Sequence, residues 1–135
     1  MISSLALVVF RHNGQNYAIE AQSVLRQGQI NPRDDAPMTC FSELLPANAQ
    51  APGGDELQWL EIASRSTPPW RLALNAAAQL IELPVDNIFP LPELLRSRRT
   101  FAALQAIAWH RQELVALLNV DALFQLQQNK HGTLR

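Results

Sequence analysis

The sequence predicts one globular domain built mainly of β-strands, with a last third that pattern alone leaves open between helix and strand. The chain has 135 residues, of which 47% are hydrophobic, so it can bury one core without disulfides or metal. Two apolar runs, residues 5–10 and 17–19, flank Asn13-Gly14, and Asn-Gly in this setting is the strongest short-range hairpin signal. Residues 81–85 are apolar at every second position, which is the period of a half-buried strand.

The first half of the chain predicts several further short elements. Residues 5–10 show no polar alternation, so both faces of this strand should be covered. Glycine, prolines and aspartates punctuate residues 24–37, which predicts a loop with one short strand near Val24. Residues 39–41 predict a short strand, and residues 42–45 predict one helical turn with Ser42 as its N-cap.

The proline- and glycine-rich stretch 47–55 predicts a connection between two approximate halves, residues 1–46 and 55–128, followed by a tail at 129–135. Because each half is short for an independent core, we interpret residues 1–135 as a single domain. Beyond the connection, residues 57–62 predict a strand and residues 64–69 a turn. Pro84 predicts either that the strand at 80–85 lies at a sheet edge or that the proline lies near the end of this strand.

Residues 93–128 support two interpretations. They are rich in Leu, Ala, Gln, Glu and Arg and lack Pro and Gly, so helix propensity predicts one long helix. The alternative divides the segment at the polar residues 110–113, which gives a strand pair at 104–109 and 114–118. A terminal helix at 120–127, capped by Asn119, would then follow. The pattern of the residues does not decide between the two.

Composition and spacing predict no catalytic centre, no cofactor and no metal site. His12, His110 and His131 lack metal-ligand spacing, so we interpret them as solvated loop or tail histidines. Cys40 has no histidine nearby in sequence and is interpreted as a structural thiol. The formal net charge of −1 predicts no attraction to nucleic acid or to an anionic membrane surface.

The N-terminal apolar run is interpreted as a strand and not as a signal peptide. It lacks a basic leading region, and Arg11 and His12 end it early. No run approaches the ~18 apolar residues that a membrane helix requires. The single cysteine suits a reducing compartment, so we expect a cytoplasmic protein.

Four short sequence motifs, here called phrases, follow one another in the second half of the chain. A hydrophobic strand pair comes first, then a proline-bearing segment, then a strand of small and apolar residues, then a "lv-lLn-daL" ending. These phrases occupy residues 70–75 with 80–83, residues 84–92, residues 103–110 and residues 114–123. Their order and spacing resemble those of CheW-like domains, and the hairpin around Asn13-Gly14 resembles the opening of that family.

The resemblance implies a fold of two small interlocked SH3-like β-barrels, with five strands each, and a short C-terminal helix. It implies a non-catalytic adaptor in a chemotaxis-like or pilus-motility signalling system. Its expected partners are the regulatory domain of a CheA-type histidine kinase, a chemoreceptor tip or another CheW-like domain. The family's Arg-Gly phrase, which helps to engage receptors, is absent, and Gln27-Gly28 stands in a shortened stretch. A trimmed first barrel and a structural or self-associating role form the alternative.

Three groups of residues are the predicted partner contacts. Trp and Arg are enriched at the centres of protein interfaces, so Trp70 and Arg71 at a strand start are the first group. Proline-flanked apolar side chains are hard to bury, which adds Phe89 and Leu91. The basic cluster Arg96, Arg98 and Arg99 predicts a solvated loop or an electrostatic contact with an acidic protein.

Overall fold

The computed structural model describes residues 3–31, 37–45, 57–93 and 101–132, and within them it has ten strands, which form two curled sheets, and two α-helices. The strands are β1 (Ser4–His12), β2 (Gln15–Glu20), β3 (Val24–Gln29), β4 (Thr39–Cys40), β5 (Gln58–Ser64), β6 (Thr67–Leu74), β7 (Gln79–Pro84), β8 (Ile88–Pro90), β9 (Leu104–His110) and β10 (Glu113–Leu118). The helices are α1 (Phe41–Leu44) and α2 (Val120–Gly132).

Each sheet takes strands from both halves of the sequence. Sheet A has the order β7-β1-β2-β10-β9-β8, and sheet B has the order β3-β5-β6-β4. The two halves are therefore interlocked, as expected, and the predicted connection at 47–55 lies outside the described residues. Over the described residues the strands divide six and four.

The two sheets share a four-strand pattern that explains the unequal division. In sheet B, β3 pairs antiparallel with β5, β5 antiparallel with β6, and β6 parallel with β4. Sheet A repeats these pairings with β7, β1, β2 and β10 and then continues with β9 and β8. Sheet B ends at β4 within the described residues, because only residues 30–38 separate β3 from β4.

The first hairpin is confirmed. β1 and β2 pair around Asn13 (φ 52°) and Gly14 (φ 78°), and positive φ at both central residues is the geometry that this turn requires. Alternate residues of β1 enter two different cores, since Leu7 packs in the core of sheet A and Val8 in the core between the sheets. Both faces of β1 are therefore covered, as the absence of polar alternation predicts.

The strand interpretation of residues 93–128 is confirmed where the structure describes them, and a single long helix is wrong. β9 and β10 form an antiparallel hairpin around the predicted polar turn. Asn119 caps α2, because its Oδ1 accepts a hydrogen bond from the Ala122 N–H at 2.9 Å. The helix continues to Gly132, so the predicted tail at 129–135 starts too early.

Three local predictions are corrected by the structure. The strand near Val24 extends to Gln29, because five of its residues pair with β5. Helix α1 begins at Phe41, so Ser42 lies inside it and Cys40 takes the N-cap position without a side-chain cap. The turn predicted at 64–69 is shorter, because β6 already begins at Thr67 and both prolines lie within it.

Candidate protein-binding surfaces

An exposed apolar surface covers the outer side of β8, β9 and β10. We call it the outer face and define it by Phe89, Ile107, Trp109, Leu114 and Ala116. The strand registers make these residues neighbours: Phe89 pairs with Ile107, Ile107 with Ala116, and Trp109 with Leu114. The alternate residues of the same strands point inward and fill the core of sheet A.

The outer face is large enough to indicate function. The exposed fractions are 54% for Phe89, 46% for Trp109 and 61% for Leu114. With ~150–250 Å² per large side chain, these three residues expose roughly 300 Å² of apolar surface. Contiguous patches of this size on a monomer often mark interaction sites. The sequence predicted Phe89 as a contact, but the other four residues became apparent only through the strand register.

A groove of about 710 Å³ separates the two sheets. Three irregularities in strand pairing converge on it, at Leu25 in β3, near Ala63 in β5 and at Gln105 in β9. Such bulges re-aim side chains and are frequent next to functional sites. Ser64 donates a hydrogen bond to Asp121 across the groove. This hydrogen bond at the rim of the groove connects the end of β5 to the start of α2.

Trp70 and Arg71, the first predicted contacts, are largely engaged within the fold. Trp70 is half-buried, packs against the core between the sheets and lies 6.5 Å from the ring of Phe124. The Arg71 guanidinium lies 4.0 Å from the centroid of the Trp59 ring, and its Nε lies 3.8 Å from Glu61 Oε1. Their role as partner contacts stays a prediction.

Trp59, Glu61 and Arg71 belong to a connected cluster on the face of sheet B. Gly28 lies beneath Trp59, and a Cβ added to this glycine would lie 2.7 Å from Trp59 Cζ2, so a larger residue requires the indole to move. Arg26 donates two hydrogen bonds to the Glu61 carboxylate, from Nε at 3.1 Å and from Nη2 at 3.0 Å. These hydrogen bonds, with the positive charges of Arg26 and Arg71, hold the pKa of Glu61 below its ordinary value.

The Glu61 pair predicts a dependence of stability on pH. A carboxylate whose pKa is lower in the folded state stabilises the fold above its ordinary value of 4.5, and this contribution is lost as the pH falls through the folded-state pKa. We therefore expect the melting temperature of the natural protein to exceed that of Glu61→Gln modestly at pH 7. The difference should shrink below pH ~4.5 and at high salt, because the pair is exposed. A difference that stays constant from pH 7 to pH 3 would contradict this assignment.

The other predicted contacts have different outcomes. Phe89 is exposed on the outer face, but Leu91 is only 6% exposed, so its flanking prolines do not keep it in solvent. Arg96, Arg98 and Arg99 lie outside the described residues. Of the three tryptophans, Trp109 is exposed, and Trp59 and Trp70 are half-buried.

His12 corrects the expectation of solvated histidines. It is only 5% exposed, because it continues the inward series of Val8 and Phe10 along β1. Its Nδ1 lies 3.4 Å from Asn75 Oδ1, and its ring meets that of Phe41 edge-on at 5.5 Å. His110 is half-buried and Cys40 is partly exposed. Within the described residues, no three His, Cys, Asp or Glu side chains form a metal-binding group.

The fold can be compared with known proteins. No protein-family model matches the sequence, and no curated protein sequence matches it. Among solved structures, the scaffolding protein TtCheW from Thermoanaerobacter tengcongensis matches with a TM-score of 0.70. The match covers 91% of this chain and 94% of that chain at 14% sequence identity. The chain has the CheW-like fold.

The CheW-like fold confirms the architecture that the phrases of the second half implied. Curled sheets and a C-terminal helix are present, and most of the described residues lie in strands. At 14% identity the likeness fixes the fold, and the partners have to be inferred from the surface of this chain. No described helix is long and apolar enough to cross a membrane.

Proposed function

We propose that this protein is a non-catalytic adaptor in a chemotaxis-like or pilus-motility signalling system. It binds the regulatory domain of a CheA-type histidine kinase, a chemoreceptor tip or another CheW-like domain, and it acts in the cytoplasm. The outer face on a CheW-like fold is the observation that carries this proposal. Adaptor function needs a surface that holds a partner in one geometry, and neighbouring strands fix these side chains relative to each other.

The chemistry of the outer face supports protein recognition. Its centre is aromatic and aliphatic, and polar residues surround it, with Gln105 on one side and Arg111 and Gln112 on the other. An apolar centre with a polar rim is the usual arrangement of protein interfaces. Phe89 and Trp109 are large side chains on a sheet whose backbone is already ordered, so little conformational entropy is lost on binding.

Direct binding measurements test the proposal. The purified protein is titrated with regulatory domains of CheA-type kinases, with receptor-tip fragments and with other CheW-like domains of the same cell. We expect saturable binding to at least one of them, with a Kd weaker than that of obligate complexes, which bury larger areas. Absence of binding to all three classes would refute the adaptor function.

The missing Arg-Gly phrase in the first half of the sequence favours a second candidate. A CheW-like module without the usual receptor contact would act as a structural or self-associating subunit of another assembly. Light scattering separates the two candidates, because a stable oligomer that ignores kinase and receptor fragments would favour this second one.

A further inference from the structure

Two hairpin turns of sheet A have the same backbone geometry but different residues. The turn between β1 and β2 uses Asn13 and Gly14, with φ of 52° and 78°. The turn between β9 and β10 uses Arg111 and Gln112, with φ of 49° and 66°. Asn and Gly tolerate positive φ, whereas long side chains with a Cβ adopt it at a cost. The second turn therefore keeps two strained residues where the first turn has the favourable pair.

The two turns lie side by side at one end of sheet A. β2 and β10 run parallel from Asn16 and Val115, so the turns that precede them are at the same end. Glu113 links the turns, because its Oε2 accepts a hydrogen bond from Asn16 Nδ2 at 2.8 Å and its Oε1 lies 3.9 Å from Arg11 Nη1. Arg111 is exposed beside this link.

The charges at this end do not balance. A cavity of about 280 Å³ is lined by Arg11, Arg111 and His110, and Glu113 is the one carboxylate among the described residues that line it. Arg11 lies near the Glu113 carboxylate, and the guanidinium of Arg111 adds a second positive charge to this end, which leaves one unit of positive charge. A guanidinium binds a carboxylate through paired hydrogen bonds, so the missing charge fits an Asp or Glu side chain.

We infer that the Arg111-Gln112 turn docks an acidic segment of a protein partner. A carboxylate of that segment binds between Arg111 and Arg11 on the inner side of the hairpin. The segment then crosses the turn, so that its following apolar residues lie on Trp109 and Leu114 of the outer face, which directly flank the turn. This inference rests on the proposed binding role of the outer face and adds the chemistry of the partner. Strained residues persist where they serve a function, and here strain places Arg111 at the tip.

The test uses a double variant that copies the first turn into the second. Arg111→Asn with Gln112→Gly relieves both positive-φ residues, so the melting temperature should rise by roughly 3–6 °C. A variant no more stable than the natural protein would overturn the argument from strain. The chain already folds around an Asn-Gly turn at residues 13–14, so this change is compatible with the sheet.

Binding is measured by amide chemical shifts of the 15N-labelled protein. The probe is a synthetic peptide of alternating Glu and Leu, and the control peptide has Gln in place of Glu. We expect shifts at residues 109–114 with the acidic peptide, and about tenfold weaker binding for the control peptide and for the double variant. Equal binding of both peptides, or shifts confined to other surfaces, would overturn the inference. If the acidic peptide does not bind, the acidic-segment inference fails, but the kinase and receptor titrations still test the proposed function. If those titrations fail, the peptide experiment still tests the acidic-segment inference.

Discussion

Replacing Phe41 with alanine should lower the free energy of unfolding by about 3–5 kcal/mol, which is the usual cost of deleting a buried aromatic side chain. Phe41 is 2% exposed, and its ring centroid lies 4.9 Å from those of both Phe10 and Tyr17. It comes from α1 directly after β4, and it contacts β1 and β2 of sheet A. This one side chain therefore joins the segment that follows β4 of sheet B to the strands of sheet A.

Phe89→Ala is the matched control for this prediction. It deletes the same side chain, but Phe89 is 54% exposed, so we expect a loss of at most ~1 kcal/mol. Urea denaturation of the natural protein and both variants gives the three free energies. Equal losses for the two variants would show that residues 37–45 do not close the core as described.

Replacing Trp109 with alanine should weaken partner binding by about 2 kcal/mol, or roughly 30-fold in Kd, which is the size of effect expected for a central aromatic residue of an interface. Trp109 has the largest side chain of the outer face and lies beside Leu114, and neither residue belongs to a buried core cluster. The stability of the variant should change by less than about 1 kcal/mol.

Two leucines provide a matched pair for the same measurement. Leu114 is 61% exposed on the outer face, and Leu57 is 55% exposed immediately before β5 of sheet B. Leu114→Ala should weaken binding of the kinase regulatory domain, and Leu57→Ala should leave it unchanged. If Leu57→Ala weakens binding as much as Leu114→Ala, the outer face is not the contact.

The sequence predicted those elements whose signal is local. Asn13-Gly14 specifies a turn by its own backbone preference, and Asn119 is a good N-cap whatever follows it. The strand pair at 104–118 was different, since its composition favours helix and only the resemblance to CheW-like domains pointed to strands. There the pairing of β9 with β8 and β10 overrides the intrinsic propensity.

The predicted sites depended on tertiary contacts that no local pattern contains. His12 lies next to a hairpin turn, so the sequence predicted a solvated side chain. In the structure, Phe41 and Asn75, which are distant in sequence, cover it. Leu91 is buried although prolines flank it. The outer face combines residues of three strands. These strands carry apolar residues on both faces, so the sequence pattern does not show which face is exposed to solvent. Its members become visible once the register is known.

Hydrogen exchange of the complex tests the central claim most directly. The protein is measured alone and with the partner domain that binds it, and amide protection is compared peptide by peptide. The outer face as an adaptor surface predicts added protection in peptides covering residues 86–90 and 105–117, with little change in β3 and β5. Protection confined to sheet B, or no bound partner domain among kinase, receptor and CheW-like fragments, would contradict the account.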